Sequence, residues 1–126
     1  MAIRFVASVD RVNGEPGPLR RSRLHLAECR HRYEILVDGR RAGLTAYRDR
    51  GEQRVFFHTE IDDAFAGQGL AARLVQQALV DVRESGKRIV PVCPYVAKFL
   101  QRHAEFADIT DPVTPDVLRW LEAELG

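Results

Sequence analysis

Sulfur is scarce in this chain: two cysteines, Cys29 and Cys93, and one methionine among 126 residues. Two thiols so far apart make neither a disulfide framework nor a metal-binding pair. The four histidines, His25, His31, His58 and His103, are scattered without a spacing such as H-x-x-x-H, so no metal is expected. Long apolar runs are missing too. Nothing approaches the roughly 18 consecutive apolar residues that cross a bilayer, which argues against a membrane partner. Residues 1–10 lack the apolar core and small-residue cleavage site of an export signal, so a cytoplasmic protein is expected. A strong excess of one charge is also absent: the net charge of +1 argues against a nucleic-acid partner. The charge is unevenly spread, with 12 basic against 7 acidic residues up to Phe57 and 7 against 11 from His58 onward. Arg20, Arg21, Arg23, Arg30 and Arg32 read either as a solvated surface or as an RNA or DNA patch. No aromatic residue is interleaved before Tyr33, which favours the solvated surface.

What is present is a globular composition, 45% hydrophobic and 29% charged, in a length that suits one domain over residues 1–126. Strand-like content runs from Ile3 to Val9, residues 13–18 read as a loop, and Leu24 to Leu26 as a short strand. The pattern sharpens from Arg32. Tyr33, Ile35 and Val37 alternate with polar residues, Asp38-Gly39 signals a hairpin, Ala42 to Tyr47 forms a second strand, and Arg54 to Ile61 a third. Leu70, Leu74, Val75, Ala78, Leu79 and Val82 then recur at helical spacing up to Ser85, and Gly86 sits where a helix stops. A strand follows from Arg88 to Cys93. Pro94 suits the first turn of a further helix, with Tyr95, Val96, Phe99, Leu100 and His103 on one side. Thr114 and Pro115 open a last helix over about residues 114–126, with Val117, Leu118, Leu121 and Leu125 as its buried face. The fold class is α/β with a mixed sheet, antiparallel first and parallel across the crossover helix.

The segment from His58 to Ser85 bears most directly on function: a strand, a glycine-broken loop and an amphipathic helix in succession. The first four N–H groups of a helix lack intrahelical acceptors and lie at the positive end of its dipole, so a diphosphate seated there satisfies them. Gly67 and Gly69 allow positive φ and a close main-chain approach. A nucleoside-triphosphate loop needs Lys followed by Ser or Thr after its last glycine, and none is present. A dinucleotide fold needs its glycines in the first strand–helix unit. Here Ala66-Gly67-Gln68-Gly69-Leu70-Ala71 follows a run of antiparallel-looking strands.

That segment resembles the Q/R-x-x-G-x-G/A pattern of the GNAT (GCN5-related N-acetyltransferase) superfamily, with Ala66 where Gln or Arg is usual. His58 to Ile61, Ile89 to Tyr95 and Arg102 to Phe106 resemble its short stand-alone subgroup in order and spacing. The resemblance covers about residues 32–108 and leaves residues 1–31 as an N-terminal extension. It implies a GNAT-like mixed sheet with C-terminal helices, acetyl-CoA as co-substrate and an amine acceptor. It further implies that Glu60 and Ile61 offer main-chain groups to pantetheine, and that Gly67, Gln68, Gly69, Leu70 and Ala71 hold the pyrophosphate. The thioester would then sit between His58 and Cys93, and Tyr95 would join the cofactor-binding residues. A non-catalytic acyl-CoA-binding module is the alternative.

Acetyl transfer needs a neutral amine, a polarised carbonyl and a proton for the departing thiolate. His58 is the candidate base, because imidazole titrates near neutral pH. By alternation it shares a face with Phe56 and Glu60, opposite Phe57 and Thr59; its other reading is a half-buried histidine bonded to backbone. Cys93 ends a strand at the start of a helix, where the dipole favours a thiolate. It is a candidate acid or nucleophile, or simply a small buried side chain. Tyr95 offers a hydroxyl or belongs to the core, and Arg73 and Lys98 either meet the nucleotide's 3′-phosphate or are solvated.

Overall fold

The structure is a computed structural model that describes residues 2–6 and 31–126. The end of the strand read to Val9, the loop read at residues 13–18, the strand read at residues 24–26, Arg20, Arg21, Arg23 and Arg30, and Cys29 lie outside the described residues. Five strands form one sheet in sequence order: β1 Ile3–Val6, β2 Arg32–Val37, β3 Arg40–Arg50, β4 Gln53–Ile61 and β5 Arg88–Pro91. The first three pairings are antiparallel and β4 pairs with β5 in parallel, the mixed sheet that the pattern predicts. Asp38 and Gly39 have φ of 51° and 84°, the left-handed pair whose twist matches a two-residue hairpin between β2 and β3.

Helix α1 (Leu70–Glu84) carries the chain from β4 to β5, α2 (Pro94–Arg102) follows β5, and α3 (Pro115–Leu125) closes the described chain. All six apolar stripe residues of α1 are buried. Burial at roughly 1.5–3 kcal/mol per large apolar side chain outweighs the weaker helix preference of Val75 and Val82. Gly86 ends the helix at φ 75°, with its N–H donating to Arg83 C=O at 3.1 Å and that of Lys87 to Val82 C=O at 3.1 Å.

The sheet has a core on each face. Tyr33, Ile35, Tyr47 and Phe56 pack with the buried stripe of α1 and with Val96 and Phe99 of α2. On the opposite face Val55 and Val90 meet Val117 and Leu121 of α3, with Phe57, Val92 and Trp120 at the margin. That contact is narrower than the sequence predicts. Leu118 is 44% exposed and Leu125 46%, because Leu118 is turned about 100° from Val117 and Leu125 is the helix's last residue.

Buried Arg54 ties β4 to its neighbours. Its guanidinium donates to Asp49 at 2.8 and 3.0 Å and to the Tyr33 hydroxyl, and lies 4.2 Å from the Tyr47 ring centroid. The Tyr33 hydroxyl in turn donates to Asp81 of α1 at 2.7 Å. Burial pushes the Tyr33 hydroxyl far above the ordinary tyrosine range, so it stays a donor.

Candidate functional site

The site begins where β5 stops. Its pairing with β4 ends at Phe56 and Pro91, and the last link is the Cys93 N–H donating to Phe56 C=O at 2.8 Å. A strand to Cys93 is what the sequence predicts; instead Val92 turns back on Val90 and Cys93 becomes the N-cap of α2. From Phe57 to Ile61, β4 therefore runs on without a β5 partner.

A β-bulge decides what this open stretch presents. Ala46 pairs with His58 but Tyr47 pairs with Phe56, so Phe57 is an extra residue. Parity confirms it: Phe56 accepts from the β5 side, whereas Asp62, six positions on, donates to Ala42 C=O of β3 at 2.8 Å. Without an insertion both would point the same way. Counting back from Asp62, the main chain of Glu60 turns toward β3, and that of Thr59 and Ile61 toward the open edge. Of the pair expected there, Ile61 is on the edge and Glu60 is not.

The bulge also corrects the facing of His58. Phe56 packs with the α1 core and Phe57 beside the α3 core. Beyond the insertion His58 and Glu60 share the α3 side, with Nε2 of His58 3.8 Å from Oε1 of Glu60. His58 therefore stands opposite Phe56, not beside it. Its side chain is 55% exposed rather than half-buried. Thr59 and Ile61 face the α1 side: Thr59 bonds Cys93, and Ile61 packs against the α1 core. Cys93, 3% exposed, donates its S–H to the Thr59 hydroxyl at 3.3 Å, and Thr59 and Thr45 share a hydrogen bond of 2.9 Å. His58 and Cys93 thus stand on opposite faces of β4. Sequence reasoning missed Thr45 and Thr59, which as strand threonines carry no mark of a hydroxyl turned inward.

Past Ile61 the Asp62 carboxylate accepts from Ala64 N–H at 2.9 Å, fixing a single turn over Asp63–Phe65 that aims the chain at α1. Gly67 and Gly69 follow with φ of 82° and 73°, and a Cβ on either would meet nothing within 4 Å. The left-handed backbone, not crowding, requires glycine here. Gly69 caps α1 with no side-chain bond, and the first turn holds no acidic residue. Leu70 is buried and anchors the helix start, Ala71 is partly buried, and Ala66 and Gln68 are exposed. The bend is thus a set of uncovered amides on a fixed base, without a negative charge in the helix's first turn.

Beside it, a cavity of about 150 Å³ between α1 and α2 is lined by Ala72, Tyr95, Lys98, Phe99, Arg102 and His103. Tyr95 is 39% exposed, so it belongs to this rim rather than to the core. His103 stacks on Phe99 with centroids 3.9 Å apart. Among the described residues no three His, Cys, Asp or Glu side chains converge on a metal position.

Residues 32–109 match the family model described as GCN5-related N-acetyl-transferase. The chain matches no curated protein. Of solved structures, it is similar to the ribosomal-protein-alanine N-acetyltransferase of Brucella melitensis biovar Abortus 2308, at 20% identity and TM-score 0.53 over 90% of this chain and 94% of that one. A GCN5-like protein of Staphylococcus aureus gives 18% identity and TM-score 0.53 over 68% and 85%. N-acetylglutamate synthase of Neisseria gonorrhoeae, complexed with coenzyme A and N-acetyl-glutamate, gives 12% and 0.56 over 81% of this chain but 28% of that one. The described fold is theirs, and the family match spans β2 to the turn after α2: the chain belongs to the GCN5-related N-acetyltransferase family.

Proposed function

We propose that the protein moves an acetyl group from acetyl-CoA to an amine by direct attack. The observation that carries this reading is the open β4 edge, which leads from Phe57 through Ile61 into the left-handed glycines at the start of α1. A pantetheine arm is an extended chain with amide groups, and the main chain of Thr59 and Ile61 offers it partners in the manner of an added strand. The amides of Gly67 to Ala71 take the diphosphate at the positive end of α1, with the exposed Gln68 side chain beside them. Lys98, Arg102 and His103 line a cavity next to that bend and suit the phosphate-bearing nucleotide end, with Tyr95 at its rim.

The two chemical groups then work from opposite sides of the sheet. His58, exposed with Glu60 beside it, takes a proton from the amine on the α3 side. Cys93, on the α1 side, gives its proton to the sulfur that leaves. Direct attack suits this division, since the proton is removed at the nucleophile and supplied at the leaving group. A covalent acetyl-cysteine would need a base within reach of the thiol, and the partner of Cys93 is a hydroxyl.

Coenzyme A at about 100 times its dissociation constant is expected to stabilise the fold by ~2.7 kcal/mol, seen as a rise in Tm. No rise at saturating ligand would remove this reading and the non-catalytic binder together. Given a rise, release of free thiol from acetyl-CoA over a panel of amines identifies an enzyme, and its absence a binder. Full rates in both His58→Ala and Cys93→Ala would remove the roles given to these residues.

A further inference from the structure

Among the described residues two polar or charged ones are buried, Arg54 and Thr45. Arg54 is accounted for by Asp49 and the Tyr47 ring. Thr45 has no such ionic reason. Its side chain is 0% exposed, and its hydroxyl reaches Thr59, which in turn receives the thiol of Cys93. Three residues far apart in sequence, on β3, β4 and the N-cap of α2, thus form one chain of hydrogen bonds. Valine fills the volume of threonine without a hydroxyl to desolvate, and a buried hydroxyl is tolerated only when bonded. A buried Thr45 hydroxyl bonded to a part-buried Thr59 hydroxyl, which itself receives the Cys93 thiol, points to a task for that thiol.

We infer that Thr59, backed by Thr45, is a positioning residue that holds the Cys93 S–H in place and hydrogen-bonds the thiolate formed when it gives up its proton. This rests on the acid role proposed for Cys93 above. With the S–H donating to Thr59 Oγ1, a second lone pair of that oxygen is still open to the Thr45 O–H, and the Thr45–Thr59 bond can run in either direction. In the transfer a bond forms between the amine nitrogen and the acetyl carbonyl carbon, and the C–S bond of the thioester breaks. Its electron pair stays on the coenzyme A sulfur; the Cys93 S–H swings from Thr59 Oγ1 to that sulfur and gives up its proton, while the surplus amine proton goes to His58. Cys93 is then a thiolate with almost no access to water. Thr59 turns its O–H toward Sγ, and Thr45 donates its own to Thr59 Oγ1. These two hydroxyls thereby replace the missing solvent. After product release Cys93 regains a proton from water and His58 returns one to it, so the cycle balances.

Thr59→Val removes the hydroxyl but keeps the main-chain groups at the open edge, and Thr59→Ser keeps both. Loss of a hydrogen bond to a charged group predicts a fall in kcat of roughly ten- to a hundredfold in Thr59→Val. KM for acetyl-CoA and the coenzyme A-induced rise in Tm stay as in the parent, the alkaline limb of the kcat profile moves to higher pH, and Thr59→Ser restores all of it. A Thr59→Val enzyme with parental kcat and pH profile, or one that loses kcat and coenzyme A binding together, overturns the inference. A second measurement is independent of turnover. In a Cys29→Ser background, where Cys93 is the remaining thiol, iodoacetamide is expected to alkylate Cys93 more slowly in Thr59→Val and at the parental rate in Thr59→Ser. Equal rates in all three overturn the inference. A parent protein that binds coenzyme A but turns nothing over defeats the proposed transfer, while the alkylation series still decides the hydrogen bond.

Discussion

Gly69 and Gly43 are glycines for opposite reasons, and substitution separates them. At Gly69 the backbone is left-handed with open space around the missing Cβ, so alanine costs about 1–2 kcal/mol in strain and projects a methyl into the bend. Gly69→Ala is expected to fold with a modestly lower Tm and to bind coenzyme A much more weakly, which calorimetric titration checks. At Gly43 a Cβ would lie 2.3 Å from Ile61 Cδ1 and 2.8 Å from Glu60 C=O, so the close approach of β3 and β4 demands glycine. Overpacking predicts a loss of about 1–3 kcal/mol for Gly43→Ala by urea unfolding. Arg54 is a third kind of case. Arg54→Ala leaves Asp49, Asp81 and the Tyr33 hydroxyl without their cation, and breaking such a buried pair predicts a loss of about 3 kcal/mol in the same assay.

Among elements, Asp111 helps fasten the segment after α2 to the sheet. Asp111 accepts from Gln53 at 2.9 Å and from Arg88 at 2.8 Å, while its N–H donates to Ile89 C=O at 2.8 Å. Burial raises its carboxyl, but the bonds from Gln53 and Arg88 outweigh it and hold the group below the ordinary range. A depressed folded-state value means stability present above the unfolded value, about 3.9, and lost as pH falls through the lower one. Urea midpoints are therefore expected to drop below about pH 4, and Asp111→Asn to weaken that drop. Elements also show what the sequence could tell. The stripe of α1, the Asp38-Gly39 turn and the glycine bend were legible because each repeats a period or needs a special φ. The bulge at Phe57 was not, since an inserted residue in Val55-Phe56-Phe57-His58 leaves composition and apolarity unchanged while reversing every later facing. That one residue set His58 apart from Cys93 and exchanged Glu60 for Thr59 at the open edge. The buried face of α3 was overdrawn for a related reason: periodicity shows which residues are apolar, not how wide a surface awaits them.

For the molecule as a whole, the sheet is complete on one half of β4 and unfinished on the other. The amides of Thr59 and Ile61 are expected to exchange with deuterium quickly in the free protein and slowly with coenzyme A bound, while that of Val55, inside the paired half, changes little. Equal protection of Thr59 and Ile61 in both states would deny them to the ligand. An uncovered row of peptide groups is indiscriminate, for any extended polypeptide can lie along it, another copy of this chain included. On the proposed reading, the five residues freed by an early halt at Pro91 give the molecule two rival fates, occupancy by its ligand or accretion onto its neighbours, and a steady supply of the first would guard against the second.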